Sequence, residues 1–203
     1  MSAHAQPSPL PLAGQPRRER ADAVRNRTRL LEVAARLVAQ HGAANVTMDA
    51  VAAAAEVGKG TVFRRFGDRA GLMQALLDHA GRTFQQAFIS GPAPLGPGAP
   101  PADRLRAFGA AAIDHQLRYR DLYLAAELPP ERRYTDDPPR ALLARHVAGL
   151  LSAAETEGDL ELLTEALLAY IDTALITHLH TQRGMTAERI TAGWSHLVDR
   201  LVG

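Results

Sequence analysis

The side chains best suited to gripping a charged polymer fall in one stretch, Lys59-Gly60-Thr61-Val62-Phe63-Arg64-Arg65. Ammonium and guanidinium groups make short charge-assisted hydrogen bonds to phosphate oxygens, and a guanidinium can also hold both acceptors of a guanine edge. Thr61 adds a hydroxyl, and Gly60 has no side chain to obstruct a close approach. Lys59 is the sole lysine; the other 22 basic residues are arginine. Val62, Phe63 and Phe66 offer apolar anchors within the same stretch. This chemistry is recognition, not bond-making.

Other residue types give less. The absence of cysteine excludes disulfides, thiol nucleophiles and thiolate metal sites. His115, His146, His178, His180 and His196 contain no i,i+4 pair, and His178 and His180 point to different faces of a helix. A metal site assembled across helices is the lesser alternative to hydrogen-bonded histidines. No nucleophile elbow, P-loop or dinucleotide fingerprint occurs, and the glycines of 91–98 lie between prolines, as in a spacer. No enzymatic activity, metal or cofactor is expected. A ligand pocket is more credible. His115 and Tyr119 lie among Phe108, Ala112 and Leu122, and Tyr123, His146 and Tyr170 could join them across a bundle. Polar tips among apolar walls suit a small organic molecule. The alternative is a plain core with satisfied Tyr and His groups.

These residues need helices to position them. Prolines cluster in 1–16, 92–101, 129–130 and 138–139, leaving long proline-free blocks rich in Ala, Leu and Arg. Strand-like runs are lacking, so the fold class is all-α. Residues 1–16 read as a disordered tail. Helices are expected over 23–41, 48–55, 59–66 and from Asp68 to about 89. A spacer over 90–101 follows, then helices over 102–118 with a continuation to about 127, 138–157, 159–182 and 186–202. Gly42 suits an αL residue after the first helix, Thr47 and Asp68 suit N-caps, and Val46 and Val51 suit a hydrophobic staple. The domains expected are 17–69 and 70–203.

The helix over 159–182 is apolar on two faces. Leu168, Ile171, Leu175 and His178 on it, with Trp194 and Leu197 on the last helix, are expected at a partner subunit; burial within the bundle is the competing reading. Its most apolar part, LLAYIDTALITHL, is interrupted by Asp172 and His178, which argues against a membrane span. The N-terminus has no basic region followed by a long apolar core, so the cytoplasm is the expected compartment.

Two short helices around Glu56-Val57-Gly58 have helix-turn-helix geometry, with the start of the second facing base edges in a major groove. The segment resembles the tetracycline-repressor (TetR) family of bacterial transcriptional regulators over about 25–76. The matching residues are His41-Gly42, Thr47, Val51-Ala52, Ala55-x-Val57-x-Lys59-Gly60-Thr61-Val62-Phe63, Phe66 and Leu72. The resemblance implies a three-helix DNA-binding head, an effector-binding and dimerisation body, and a homodimer on a palindromic operator. It also implies that Thr47 and Arg69 touch phosphate, and that Lys59, Gly60 and Thr61 approach bases and backbone. Phe63 stands where the family often has a tyrosine that bonds phosphate. Arg64 and Arg65 could replace that contact or read guanine. Glu56 stands where glycine is frequent and Gly58 where a serine cap is frequent, so a turn that either differs slightly or is strained is expected there.

The net charge of +1 is an average. Residues 17–69 hold 11 basic and 6 acidic side chains, and 70–203 hold 12 and 16. A basic head on a mildly acidic body suits docking on double-stranded DNA by one end. Arg17, Arg18, Arg20, Arg25, Arg27 and Arg29 form a basic segment that could track phosphates or enter the minor groove; a solvated tail is the alternative for Arg17, Arg18 and Arg20. The sequence thus reads as a cytoplasmic, nucleoid-associated regulator. In this family such a protein is most often a repressor released by a small effector. The alternative is a helical binding module whose head does not bind DNA.

Overall fold

The computed structural model describes residues 15–125 and 138–202. All regular structure among them is helical. The elements are α1 (Gln15–His41), α2 (Met48–Ala54), α3 (Lys59–Phe66), α4 (Arg69–Ser90), α5 (Pro101–Ala125), α6 (Pro138–Ala153), α7 (Leu160–Tyr170), α8 (Thr173–Thr177) and α9 (Ala187–Val202). A 3₁₀ turn, Ala43–Asn45, follows α1, and a π-helical turn, His178–Gln182, extends α8.

Local signals act where the sequence puts them. Thr47 Oγ1 accepts from the Ala50 amide, 3.1 Å away, and caps α2. Asp68 Oδ1 accepts from the Gly71 amide at 2.8 Å and caps α4. Val46 and Val51 are both buried beneath the first turn of α2. Gly42 takes φ 77 and ψ 151; the positive φ suits glycine, but ψ lies outside αL. Glu56 has φ 56, so the turn before α3 is strained as expected.

Three boundaries differ from the sequence reading. Helix α1 begins at Gln15, eight residues before the start expected at 23, and takes in the last two residues of the expected tail. The rest of that tail, and the side chains of Arg17, Arg18 and Arg20, lie outside the described residues, as does the continuation of α5 past Ala125. Helix α6 stops at Ala153, where Glu155 turns to φ 54 and the Thr156 amide reaches back to the Leu151 carbonyl. The helix expected over 159–182 is broken and bent by 41°. Asp172 causes the break: it leaves helical geometry and its carboxylate accepts from the Ala174 amide at 2.8 Å, starting α8 afresh. No single helix among the described residues is long and apolar enough to cross a membrane.

Two cores result. The head core joins α1, α2 and α3 to Leu72, Ala75 and Leu76 of α4 and to Leu122 of α5. The body core gathers Phe88, Phe108, Leu151, Leu167, Ile176 and Trp194 from α4 to α9. Helices α4 and α5 run through both. The spacer at 91–100 is a short ordered loop, with Leu95 packed on the body core.

Helices α5 and α9 approach closely. Trp194 is fully buried and its indole N–H donates to the Leu105 carbonyl at 3.0 Å. The indole lies against Gly109, where an added Cβ would fall 1.9 Å from the Trp194 ring. Gly109→Ala therefore sets a helix-propensity gain of about 1 kcal/mol against a forced shift of α9. Overpacking of this kind costs roughly 1–3 kcal/mol or more, so the variant is expected to lose stability in denaturant unfolding followed by Trp194 fluorescence. A more stable Gly109→Ala protein would contradict this packing.

Candidate nucleic-acid interface and cavity

Helix α3 sorts its residues by face. Val62 and Phe66 are buried against α1, α2 and α4, which turns Lys59, Gly60, Phe63 and Arg64 outward. Thr61 and Arg65 lie half-buried at the edges of that face. Phe63 is 39% exposed, unusual for a large apolar side chain on a short amphipathic helix. Gly58 provides no side-chain cap for α3, and the Thr61 amide donates instead to the Gly58 carbonyl at 2.8 Å. A Cβ built at Gly60 would meet nothing within 4 Å, so nothing inside the chain requires glycine there.

The polar groups on this face are lightly held. Lys59 Nζ lies 2.7 Å from Asp49 Oδ2, with both side chains about three-fifths exposed. An exposed pair of this kind is worth about 0–1 kcal/mol and yields readily to a phosphate. Lys59 also lies 5.7 Å from the Phe63 ring centre. Arg64 makes one long bond, 3.4 Å, to Thr61 Oγ1.

Three other basic residues of the head, Arg27, Arg29 and Arg69, donate to main-chain carbonyls. Arg69 donates from Nε to the Val46 carbonyl at 3.0 Å and from Nη2 to the Ala43 carbonyl at 2.6 Å. It thereby ties the start of α4 to the turn between α1 and α2. Arg29 donates to the Ala55 carbonyl at the end of α2, and Arg27 donates to the Arg65 carbonyl while its guanidinium lies over the Phe66 ring. The carbonyl partners of Arg27 and Arg29 lie 38 and 26 residues away and leave no local pattern in the sequence.

The body holds a cavity of about 390 Å³ between α4, α5, α6 and α7. His115 and Tyr123 line it, with His115 Nε2 and Tyr123 Oη 2.9 Å apart. The other expected pocket residues are dispersed. Tyr119 packs toward the head core, with its ring 5.0 Å from His115. His146 sits 4.5 Å from the Phe88 ring, and its buried Nε2 has no hydrogen-bond partner among the described residues. Tyr170 lies elsewhere, against Trp194, donating to the Ile190 carbonyl at 2.8 Å. Residues missed from sequence include Phe84 and Phe88, whose i,i+4 spacing on α4 is the signal that could have found them. The described residues contain no group of three or more His, Asp or Glu able to hold a metal ion.

The expected subunit face divides similarly. Leu168, Ile171 and Trp194 are buried within the chain and cannot themselves present a surface. Two-faced burial inside the bundle accounts for them, because α7 packs on α6 while α5 covers α8 and α9. Leu175 and His178 are exposed, and Leu197 is half-buried.

Burial pushes His115 down to about 4, with Asp114 opposing and Arg118 reinforcing the shift. Burial and Arg104 likewise push His146 down to about 4. The unfolded chain then binds more protons than the folded one below the ordinary histidine range. Stability is therefore level above about pH 6.5 and falls as pH drops toward 4. Between pH 7.5 and 4.5, His115 is expected to contribute a loss of roughly 2–3 kcal/mol. Unfolding curves of wild type and His115→Gln over this range check it: the variant's profile should be flatter, and parallel profiles would contradict a neutral His115.

Residues 30–76 match the family described as bacterial regulatory proteins, tetR family. No curated protein matches the chain by sequence. Solved structures do. SCO4454, a TetR-family transcriptional regulator from Streptomyces coelicolor, is 23% identical, with 94% of this chain and 96% of that one covered and a TM-score of 0.60. A member of the TetR family from Streptomyces coelicolor A3, SCO1917, is 27% identical, with 88% and 98% covered and a TM-score of 0.55. A protein from Saccharomonospora viridis, described as a transcriptional regulator in complex with choline, is 20% identical, with 89% and 99% covered and a TM-score of 0.62. The chain accordingly carries, in residues 30–76, the head of the tetR family of bacterial regulatory proteins, on a body with the fold of solved TetR-family regulators.

Proposed function

We propose that the chain is a one-component transcriptional repressor. On this reading it is a homodimer that binds a palindromic operator and is released by a small organic effector. The observation that carries the DNA contact is the outward face of α3. Lys59, Gly60, Phe63 and Arg64 occupy it, and none is needed by the head's own core. A helix of about 10–12 Å diameter fits a major groove about 12 Å wide. Lys59 and Arg64 then reach phosphates or base edges, Thr61 reaches in from the margin, and Gly60 gives the DNA backbone clearance. Thr47, exposed at the start of α2, keeps its cap and offers its remaining lone pair and hydroxyl proton. Arg69 supports the site through the turn it ties down, and Arg65 flanks the contact face.

The effector reading rests on the cavity and on the two helices that join it to the head. Helix α5 presents His115 and Tyr123 to the cavity and Leu122 to the head core. A ligand that favours one setting of α4 and α5 therefore favours one setting of the heads, and lowers operator affinity if that setting mis-spaces them. The two heads of a dimer must sit about 34–36 Å apart to enter successive major grooves. Leu175 and His178 of α8, with Leu197 of α9, are the outward residues of the expected subunit face. The choline held by one protein of this fold is consistent with a small-molecule site in the body.

The test is a footprint on DNA flanking the chain's own gene, followed by affinity measured across salt concentrations. Arg64→Ala is expected to weaken binding and flatten the slope of log K against log salt by about 0.9. Gly60→Ala should stabilise the protein by roughly 0.5–1 kcal/mol through helix propensity yet weaken DNA binding. Two protected half-sites one helical turn apart are expected. No protected site, or an unchanged slope and affinity in both variants, would favour a binding module whose head does not engage DNA.

A further inference from the structure

We infer that Asp49 and Lys59 together read a G·C base pair in the major groove, the ammonium donating to guanine O6 and N7 and the carboxylate accepting from cytosine N4. The inference rests on the reading of α3 as the helix that enters DNA, and it makes Asp49, on α2, a specificity-determining residue of that face.

The first observation is the couple itself. Asp49 stands in the first turn of α2 and Lys59 opens α3, with Oδ2 and Nζ 2.7 Å apart and both side chains about three-fifths exposed. The couple thus bridges the two helices at the start of α3, the end whose residues contact base edges in this motif. The Lys59 ammonium also lies 5.7 Å from the Phe63 ring centre, within reach of a cation–π contact. A flexible lysine is therefore held by one contact to each helix, which reduces the rotamer freedom it must lose on binding.

Both groups have capacity to spare. An ammonium has three N–H donors and a carboxylate about four acceptor sites, and their mutual contact uses one of each. The couple need not break to bind. It presents a donor and an acceptor side by side, 2.7 Å apart. On the major-groove edge of a G·C pair, guanine O6 and cytosine N4 also stand side by side, an acceptor and a donor joined by an N–H···O bond of about 2.9 Å. The two couples match in spacing and are opposite in sense. Guanine N7, next to O6, gives the ammonium a second acceptor. An A·T pair sets its amino group between its two acceptors, so one ammonium meets only one of them.

Charge points the same way. Phosphate oxygens only accept, so a carboxylate on a DNA-facing surface finds no partner along the backbone and is repelled by it. Its donors in the duplex are base amino groups, and a carboxylate suits cytosine N4. Paired with Lys59, Asp49 approaches the duplex as half of a neutral couple. Arg64 differs: among the described residues its partner is a hydroxyl, Thr61 Oγ1 at 3.4 Å, and not a carboxylate. Its charge is left for phosphate.

The test is selection of duplexes from a random-sequence pool by the full-length wild-type, Asp49→Ala and Lys59→Ala proteins, followed by titration of the wild-type site and its single-base-pair variants. The wild-type protein is expected to require G·C at one position of each half-site, with a loss of about tenfold or more when that pair is changed. Each variant is expected to lose that preference to within about threefold and to keep its preferences elsewhere. The double variant removes a neutral couple that meets bases, so its slope of log K against log salt should match wild type. A slope flatter by about 0.9 would place Lys59 on phosphate and overturn the inference. Unchanged preferences in Asp49→Ala would also overturn it, as would an even change in affinity over all sequences, a requirement for A·T at the shared position, or loss at different positions in the two single variants. A merely structural Asp49, serving the start of α2, would lower the unfolding midpoint and leave the preferences intact. Asp49→Ser repeats the comparison should the alanine variant not fold. No enriched sequence from the folded wild-type protein would overturn the DNA reading and this inference with it. Enrichment that Asp49→Ala leaves unaltered would overturn this inference alone.

Discussion

The head of this protein does not close its own core. Helices α2 and α3 have 7 and 8 residues, too short to be stable in isolation. They hold their places because α1, the first turns of α4 and one residue of α5, Leu122, complete a shared apolar interior. Leu122 is 4% exposed, and burying a leucine is worth roughly 1.5–3 kcal/mol. Tyr119, one turn earlier, packs against the same core. The orientation of the head is thus fixed by helices that also build the body. Any account of how a ligand in the body reaches the head begins with that shared burial.

The cationic residues of the head divide between scaffold and surface. Arg27, Arg29 and Arg69 give their donors to main-chain carbonyls at helix ends and turns. Lys59 and Arg64 are held only by an exposed ion pair and a long hydrogen bond. Charged donors to carbonyls are worth about 1.5–3 kcal/mol each at good geometry; the Arg69 bonds at 2.6 and 3.0 Å have it, the 3.4 Å Arg27 bond does not, and the exposed contacts are worth little. Arg69 is thus held more firmly than Lys59 and Arg64, which can exchange partners at small cost. The charge excess of the head overstates the number of groups free to meet phosphate. The turn before α3 holds Glu56 at φ 56 and lacks a side-chain cap, so it adds little local stability.

Much of this was legible in the sequence because it is local. Thr47, Asp68 and the Val46–Val51 staple announce their helices through side chain and spacing alone, and Glu56 at a glycine-like position announces its own strain. Val62 and Phe66 at helical spacing show which face of α3 is buried, and so which residues remain outside. What was not legible depends on distant partners. The carbonyl targets of Arg69 lie 23 to 26 residues away. Nothing in the spacing of Tyr170 says that it meets Ile190 and Trp194 instead of the cavity. Asp172 was visible as an interruption of an apolar run, but only its capping bond shows that it ends one helix and begins another. Trp194, Leu168 and Ile171 are apolar enough for an interface, and only three-dimensional packing distinguishes an inner face from an outer one.

The claim on which the rest depends is that head and body share one cooperative core through α4 and α5. Trp194 is the chain's sole tryptophan and lies wholly in the body core, so its fluorescence reports the body alone. Far-ultraviolet circular dichroism reports the helices of both parts. Denaturant unfolding followed by the two signals is therefore the most direct test. The shared core predicts coincident transitions. Separate transitions, with helix lost before Trp194 is exposed, would show a head that melts on its own and would contradict mechanical coupling between cavity and α3.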